Sequence, residues 1–211
     1  GHGDTDTDSH TSLPVISKKL TDLIDNELIP FKNACDIGIK SIMVGHILFP
    51  DIDKNNPATF SKQITYEILR EKWNYNGLII TDALEMRALS NHTWHGESAI
   101  RAIEGGADII LLPIDASEAI NSIYNAVQSG RLNEERINQS VKRILDEKNN
   151  IGLLNNSFSS NWESVEEIVK INNHTIIAQN IANQSITLVK NNKDLIPLNN
   201  KKYNKIIHIM L

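Results

Sequence analysis

Gly77-Leu78-Ile79-Ile80-Thr81-Asp82-Ala83-Leu84-Glu85-Met86 is the stretch on which the fold turns. A glycine turn leads into four apolar or β-branched residues, and the run stops on a carboxylate. Short continuous apolar runs bounded by turn residues mark strands covered on both faces, as in parallel sheets. Two similar runs flank it, Ser41-Ile42-Met43-Val44-Gly45-His46-Ile47 and Ala107 to Leu112, the second halted at Pro113. Between and after them lie patterns of helical period. Ser61 opens one through Ile64, Ile68 and Leu69, Ala99, Ile100 and Ile103 mark another that Gly105-Gly106 ends, and Asp115 with Glu118 forms a capping box for a third that Gly130 ends. Asn133 caps a fourth, with Ile137, Val141, Ile144 and Leu145 on one side, stopping near Gly152.

Strand and helix in alternation predict an α/β fold with parallel strands and helices outside them. A doubly wound sheet and a (β/α)8 barrel both fit, and both bind ligands beyond the carboxyl ends of their strands, where His46 and Asp82 fall. A whole barrel takes about 250 residues. With three strands before the end of the Asn133 helix, a barrel reading implies that its first half lies outside this sequence.

The flanking segments are read the same way. Ser17 is expected to cap a helix through Leu20, Leu23, Ile24 and Leu28 that Pro30 interrupts, and Phe31, Ala34 and Cys35 continue its apolar face. From Asn155 to about Ser160 the composition is that of a linker. Val165 to Gln184 has helical spacing, Ile186 to Lys190 is extended, Leu195-Ile196-Pro197-Leu198 is a turn-bounded apolar patch, and Lys205 to Leu211 reads as a strand cut in mid-run.

Composition narrows the classes. At 211 residues, 40% hydrophobic and 22% charged, the chain can bury a core. Its longest apolar runs fall far short of the roughly 20 residues of a membrane-spanning helix. A net charge of -5 with scattered Lys and Arg argues against nucleic acid as a partner. Cys35 is single, which rules out an intrachain disulfide, and lies on an apolar helical side as a buried inert thiol. The five Asn-x-Ser/Thr triplets, at Asn91, Asn138, Asn155, Asn173 and Asn183, are read as products of an Asn-rich composition.

The candidate chemistry lies at the start. Gly1-His2-Gly3-Asp4-Thr5-Asp6-Thr7-Asp8-Ser9-His10 holds titratable side chains among Gly, Ser and Thr, with nothing to anchor a core element. It is either a solvated tail or a functional loop. Asp8 and His10 are two apart, so a turn would fold the carboxylate onto the imidazole, orienting the ring for general acid and base work. His2, Asp4, Asp8 and His10 could instead ligate a metal, although their spacing repeats no ligand pattern. Asp82, at a strand-to-helix junction, is either a catalytic carboxylate or a helix N-cap.

These stretches together resemble glycoside hydrolase family 3. The opening loop, through Asp8-Ser9-His10 and Leu13-Pro14, is similar to the family's segment that runs Lys-His-Phe-Pro-Gly-His-Gly-Asp-Thr and then Asp-Ser-His, the version of its bacterial β-N-acetylglucosaminidase branch. Ser41 to Ile47, Gly77 to Met86, Gly105-Gly106-Ala107-Asp108-Ile109-Ile110-Leu111 and Arg131 to Leu153 follow in the family's order, and Ser185 to Leu198 resembles the entry to its second domain.

The resemblance implies the carboxyl-terminal part of a (β/α)8 barrel over 1–154, a linker and connecting helix over 155–184, and the start of an α/β sandwich domain over 185–211. It implies a retaining exo-β-N-acetylglucosaminidase acting on terminal N-acetylglucosamine, in peptidoglycan turnover or on chitin-derived sugars, with another β-glycosidase such as a β-glucosidase or a phosphorylase as alternatives, and a metal-dependent hydrolase or an inactive carbohydrate-binding fragment behind them. Asp82 would be the nucleophile, His10 the acid and base, and Asp8 its partner. His2, His46, Met86 and Trp94 would line the sugar site, with structural roles open for each. No cofactor is implied, and the partner is a carbohydrate. The Lys-His pair and the earlier Asp and Arg residues that would grip the sugar are expected on a missing amino-terminal half of the same polypeptide.

Overall fold

A computed structural model describes residues 2–90, 95–155, 164–169, 171–192 and 196–198, and the chain divides into two compact units, residues 1–158 and 159–211. The first unit is an α/β layer. Helices α1 (Leu20–Asp25) and α2 (Ile29–Asp36) precede strand β1 (Ser41–Val44), and a 3₁₀ turn (Ala58–Phe60) and a π-helix (Gln63–Lys72) lead to β2 (Leu78–Thr81). Then come α3 (Arg87–Ser90), α4 (His95–Gly105), α5 (Ala116–Gln128) and α6 (Glu134–Asn150).

The strands pair in parallel, Ser41 with Leu78 through Val44 with Thr81. Parallel bridges join Val15 to Leu48 on one side and Ile80 to Ile109 on the other. Neighbours in space are thus neighbours in sequence, segment 14–16 beside the end of β1, β1 beside β2, β2 beside segment 109–111. That unreversed order is how successive units line up in a barrel, whereas a doubly wound sheet reverses at its switch point.

Alternation along the strands sorts the side chains by face. Ile79 and Thr81 of β2 and Val44 of β1 are buried, whereas Ser41 and Met43 on the opposite face of β1 are exposed. The core joins Val44, Phe60, Leu69, Tyr75, Ile79, Leu84 and Leu89. Ile79 has no exposed surface, and burying such a side chain contributes about 1.5–3 kcal/mol. Burial pushes the Tyr75 phenol up to about 12.

At the amino end of the strands Asp108 is wholly buried and receives Arg70 Nη2 at 2.5 Å, Ser140 Oγ at 2.7 Å, the Ile79 N–H at 3.0 Å and Arg143 Nη1 at 3.1 Å. Arg136 adds a longer contact at 3.7 Å and donates to the Ala107 carbonyl. Burial lowers the Arg70 and Arg136 guanidinium values, but the carboxylate and main-chain acceptors supply the partners that a buried charge requires. One side chain therefore ties the π-helix, β2 and α6 together.

Several local expectations are met in detail. Asp115 accepts the Glu118 N–H at 2.9 Å, and Asn133 accepts that of Glu135 at the same distance. Gly106 ends α4 with φ +129, and a Cβ there would stand 2.8 Å from Thr65 Oγ1. Cys35, expected to be buried, is only half-buried against the core, and burial raises its thiol pKa.

Others are corrected. Lys19, not Ser17, precedes α1 and gives no side-chain cap; Pro30 sits in the first turn of α2, where its missing N–H costs nothing, so it starts a helix. Ala107 to Leu112 is no full strand: only Ile109 bridges, because Leu111 donates to the Thr81 hydroxyl and its carbonyl accepts from the Leu84 N–H. The helix expected over 165–184 is two, α7 (Val165–Ile168) and α8 (Asn172–Ser185), divided where Val169 turns extended. The linker core at 156–160 and the strand expected over 205–211 lie outside the described residues.

Candidate active site

Parallel pairing brings the carboxyl ends of β1 and β2 to one edge. The Asp82 N–H donates to the Val44 carbonyl at 3.0 Å, which places Asp82 directly beside Gly45-His46. Its Oδ1 accepts the N–H of Ala83 at 2.8 Å. Half-buried, Asp82 opens onto a cleft of about 350 Å³ that it lines together with His2, Met43, Gly45 and Ile47.

The amino-terminal loop is held by its own polar groups. The Asp8 carbonyl accepts the N–H groups of Thr11 and Ser12 and the Thr11 hydroxyl, closing a tight turn. Within that turn Asp8 Oδ1 accepts the backbone N–H of His10 at 2.9 Å and lies 2.8 Å from His10 Nδ1. Together these bonds, the backbone one first, hold the Asp8 carboxyl below its ordinary range. Both side chains are exposed, 61% for Asp8 and 75% for His10, so the far edge of the imidazole faces solvent.

Two further contacts fix the loop. His2 Nε2 lies 2.6 Å from the hydroxyl of Ser9, which is fully buried. Lys18 Nζ reaches Glu27 Oε1 at 2.5 Å and Asp4 Oδ2 at 3.1 Å, and those bonds, that to Glu27 first, raise its pKa. Of the four side chains considered as metal ligands, His2 turns to Ser9 and Asp4 to Lys18, while Asp8 and His10 turn to each other. Among the described residues no group of three His, Cys, Asp or Glu side chains converges as a metal site.

His2 and Asp82 thus share the cleft, and Asp8 with His10 forms a pair on the loop that carries His2. Among the described residues His10 hydrogen-bonds only to Asp8. His46 has no exposed surface, and both of its ring nitrogens are taken, Nδ1 by Thr59 Oγ1 at 2.6 Å and Nε2 by the Ala83 carbonyl at 2.8 Å. It offers no free nitrogen to a sugar. Met86 is buried in the turn after Asp82, its N–H donating to the Ala83 carbonyl. Trp94 lies outside the described residues.

Sequence reasoning passed over Met43, Ser9, Thr59 and Leu112. Met43, 54% exposed on β1, lines the cleft where a core residue was expected; strand alternation opposite buried Val44 was the available signal. Leu112 has φ +41, a conformation that costs a bulky residue about 1–3 kcal/mol, and its carbonyl accepts from Glu85. No residue preference announces it.

Comparisons with known proteins give the family. Residues 1–146 match the family described as "Glycosyl hydrolase family 3 N terminal domain". A β-hexosaminidase of Nitrosomonas eutropha is 33% identical over 147 residues, covering 67% of this chain and 42% of that protein. A family 3 β-N-acetylglucosaminidase structure from Paenibacillus sp. matches with a TM-score of 0.78 and 36% identity, over 90% of this chain and 36% of that one. The structure of the β-glucoside phosphorylase BglX matches with a TM-score of 0.81 and 27% identity, over 96% and 39%. The chain spans about two fifths of the length of these relatives. With the match running through the loop, both strands and the helices behind them, the chain belongs to glycosyl hydrolase family 3.

Proposed function

We propose that the complete protein is a retaining exo-β-N-acetylglucosaminidase that releases terminal N-acetylglucosamine. The observation that carries the reading is the 2.8 Å contact of Asp8 with His10, which leaves the other edge of the imidazole free to exchange a proton with a substrate. Asp82 attacks the anomeric carbon as His10 protonates the departing glycosidic oxygen. The resulting glycosyl-aspartate is hydrolysed by a water that His10 deprotonates, so configuration is retained. An imidazole thereby does the work usually given to the acid and base carboxyl of retaining glycosidases. His2, which lines the same cleft as Asp82, is assigned to the sugar site in this reading.

Residues 1–154 form the catalytic barrel portion in this reading, 155–184 the connection, and 185–211 the start of a sandwich domain. The names of the Nitrosomonas and Paenibacillus relatives support hexosaminide over glucoside. The test compares nitrophenyl N-acetyl-β-glucosaminide with the β-glucoside on the complete protein, with Asp82→Asn and His10→Ala beside it. Preferred turnover of the first substrate, abolished in both variants, is expected; full activity in either variant removes the assignments.

A second reading, a phosphorylase, is favoured by the likeness to BglX. Phosphate would then replace water and carry off the sugar as a glycosyl phosphate, an anion that an acid and base without a carboxylate of its own tolerates better. Rates and products identical with and without phosphate would exclude it.

A further inference from the structure

We propose that His46 is a positioning residue for Asp82, acting through the Ala83 peptide with its tautomer fixed by Thr59. The inference rests on Asp82 being the nucleophile. A carbonyl oxygen only accepts, so the 2.8 Å contact from His46 Nε2 to Ala83 places a proton on Nε2. Burial lowers the His46 pKa and keeps the ring neutral, which leaves a lone pair on Nδ1. The Thr59 hydroxyl lies 2.6 Å from that nitrogen and 3.1 Å from the Gly45 carbonyl, and with the ring neutral its one hydrogen goes to the nearer acceptor, Nδ1. Thr59 is itself 1% exposed and sits in the 3₁₀ turn, whose Ala58 N–H donates to the Ile47 carbonyl at 2.7 Å. The donor at the start of this relay is therefore rigid.

At the other end, Ala83 is gripped on both sides. Its N–H holds Asp82 Oδ1 at 2.8 Å and its carbonyl holds His46. The Asp82 backbone is tied to β1 by its own N–H at 3.0 Å, the carboxylate takes the Ala83 N–H, and His46 acts one peptide further along the chain. Without His46 the Ala83 carbonyl keeps only the Met86 N–H at 3.1 Å, so the Ala83–Leu84 peptide loosens; that freedom passes through the Ala83 backbone to the Asp82–Ala83 peptide, whose N–H then leaves Oδ1 and lets the carboxylate turn from the line of attack. Misalignment of that kind lowers the rate of the chemical step and leaves substrate binding nearly unchanged.

His46→Ala, His46→Gln, Thr59→Val and Thr59→Ser in the complete protein test this, with Asp82→Asn assayed in parallel. His46→Ala is expected to lower kcat about 100-fold with KM within about threefold, and to shrink the pre-steady-state burst of nitrophenolate. His46→Gln, whose amide can still donate toward Ala83, recovers at least tenfold of that loss. Thr59→Val, which conserves shape, lowers kcat about tenfold, and Thr59→Ser does not. A fully active Asp82→Asn sinks both the nucleophile and this role. An inactive Asp82→Asn beside His46→Ala with unchanged kcat, or with a raised KM alone, overturns only the role given to His46.

Discussion

His10 donates its backbone N–H to the same Asp8 oxygen that lies 2.8 Å from its ring, so one carboxylate oxygen fixes both ends of the residue. Replacing Asp8 by Asn keeps the shape and removes the charge. In the complete protein kcat is expected to fall about 10²- to 10⁴-fold, the usual range for losing acid and base assistance. Because its folded pKa is depressed, Asp8 adds stability above the ordinary carboxylate value that is lost only as pH falls through the lower folded one. The acid limb of the wild-type rate profile should therefore lie above the titration of Asp8.

Buried neutral His46 predicts a second pH effect. Its folded pKa is lowered from 6.5, chiefly by burial, while Asp82 raises it and His2 lowers it through space. Between the two values the unfolded chain binds more protons, so stability is present above about 6.5 and declines as pH falls through the folded value. The melting temperature should drop on acidification below pH 6.5, and less steeply in His46→Gln.

Asp108 is the only carboxylate that meets Arg70, Arg136 and Arg143 in the described contacts at the amino end of the strands. Asp108→Ala leaves Arg70 and Arg136 with main-chain acceptors but all three guanidinium groups without their counter-charge. A loss of about 3–5 kcal/mol is expected in urea unfolding, since removing one partner of a buried pair strands the other charge.

Gly106→Ala tests the close approach of α4 to the π-helix. The new Cβ would meet Thr65 Oγ1 at 2.8 Å in a backbone of φ +129. A loss of about 1–3 kcal/mol follows from that strain, read by the same unfolding curve.

Chelation should leave turnover unchanged. His2, Asp4 and Asp8 each turn to a separate partner, and a kcat that fell on exhaustive dialysis against EDTA and returned with divalent ions would contradict the acid and base reading.

What the sequence disclosed and what it hid divide by the range of the interactions. Asp115 with Glu118, Asn133 with Glu135 and Asp8 with His10 are bonds between residues two or three apart, so spacing alone spells them. The strand at Leu78–Thr81 was legible because burial on both faces leaves an unbroken apolar run. Segment 107–112 carries the same composition, yet its ladder gives way to the Thr81 hydroxyl and the turn at Leu84, a competition no local pattern records. Thr59 finds His46 across 13 residues, and Asp108 finds Arg70 and Arg143 across 38 and 35, distances at which only the folded chain supplies the pairing.

The Asp108 cluster, joined to β2 at Ile79, and Asp82 sit toward opposite ends of that strand, about 10 Å apart at its rise per residue. That interval lets the two ends diverge independently. Loops at the Asp82 end can be lengthened, shortened or recharged without disturbing the arginine lock. A lineage built on this scaffold can therefore vary the Asp82 end while inheriting how firmly the fold stands.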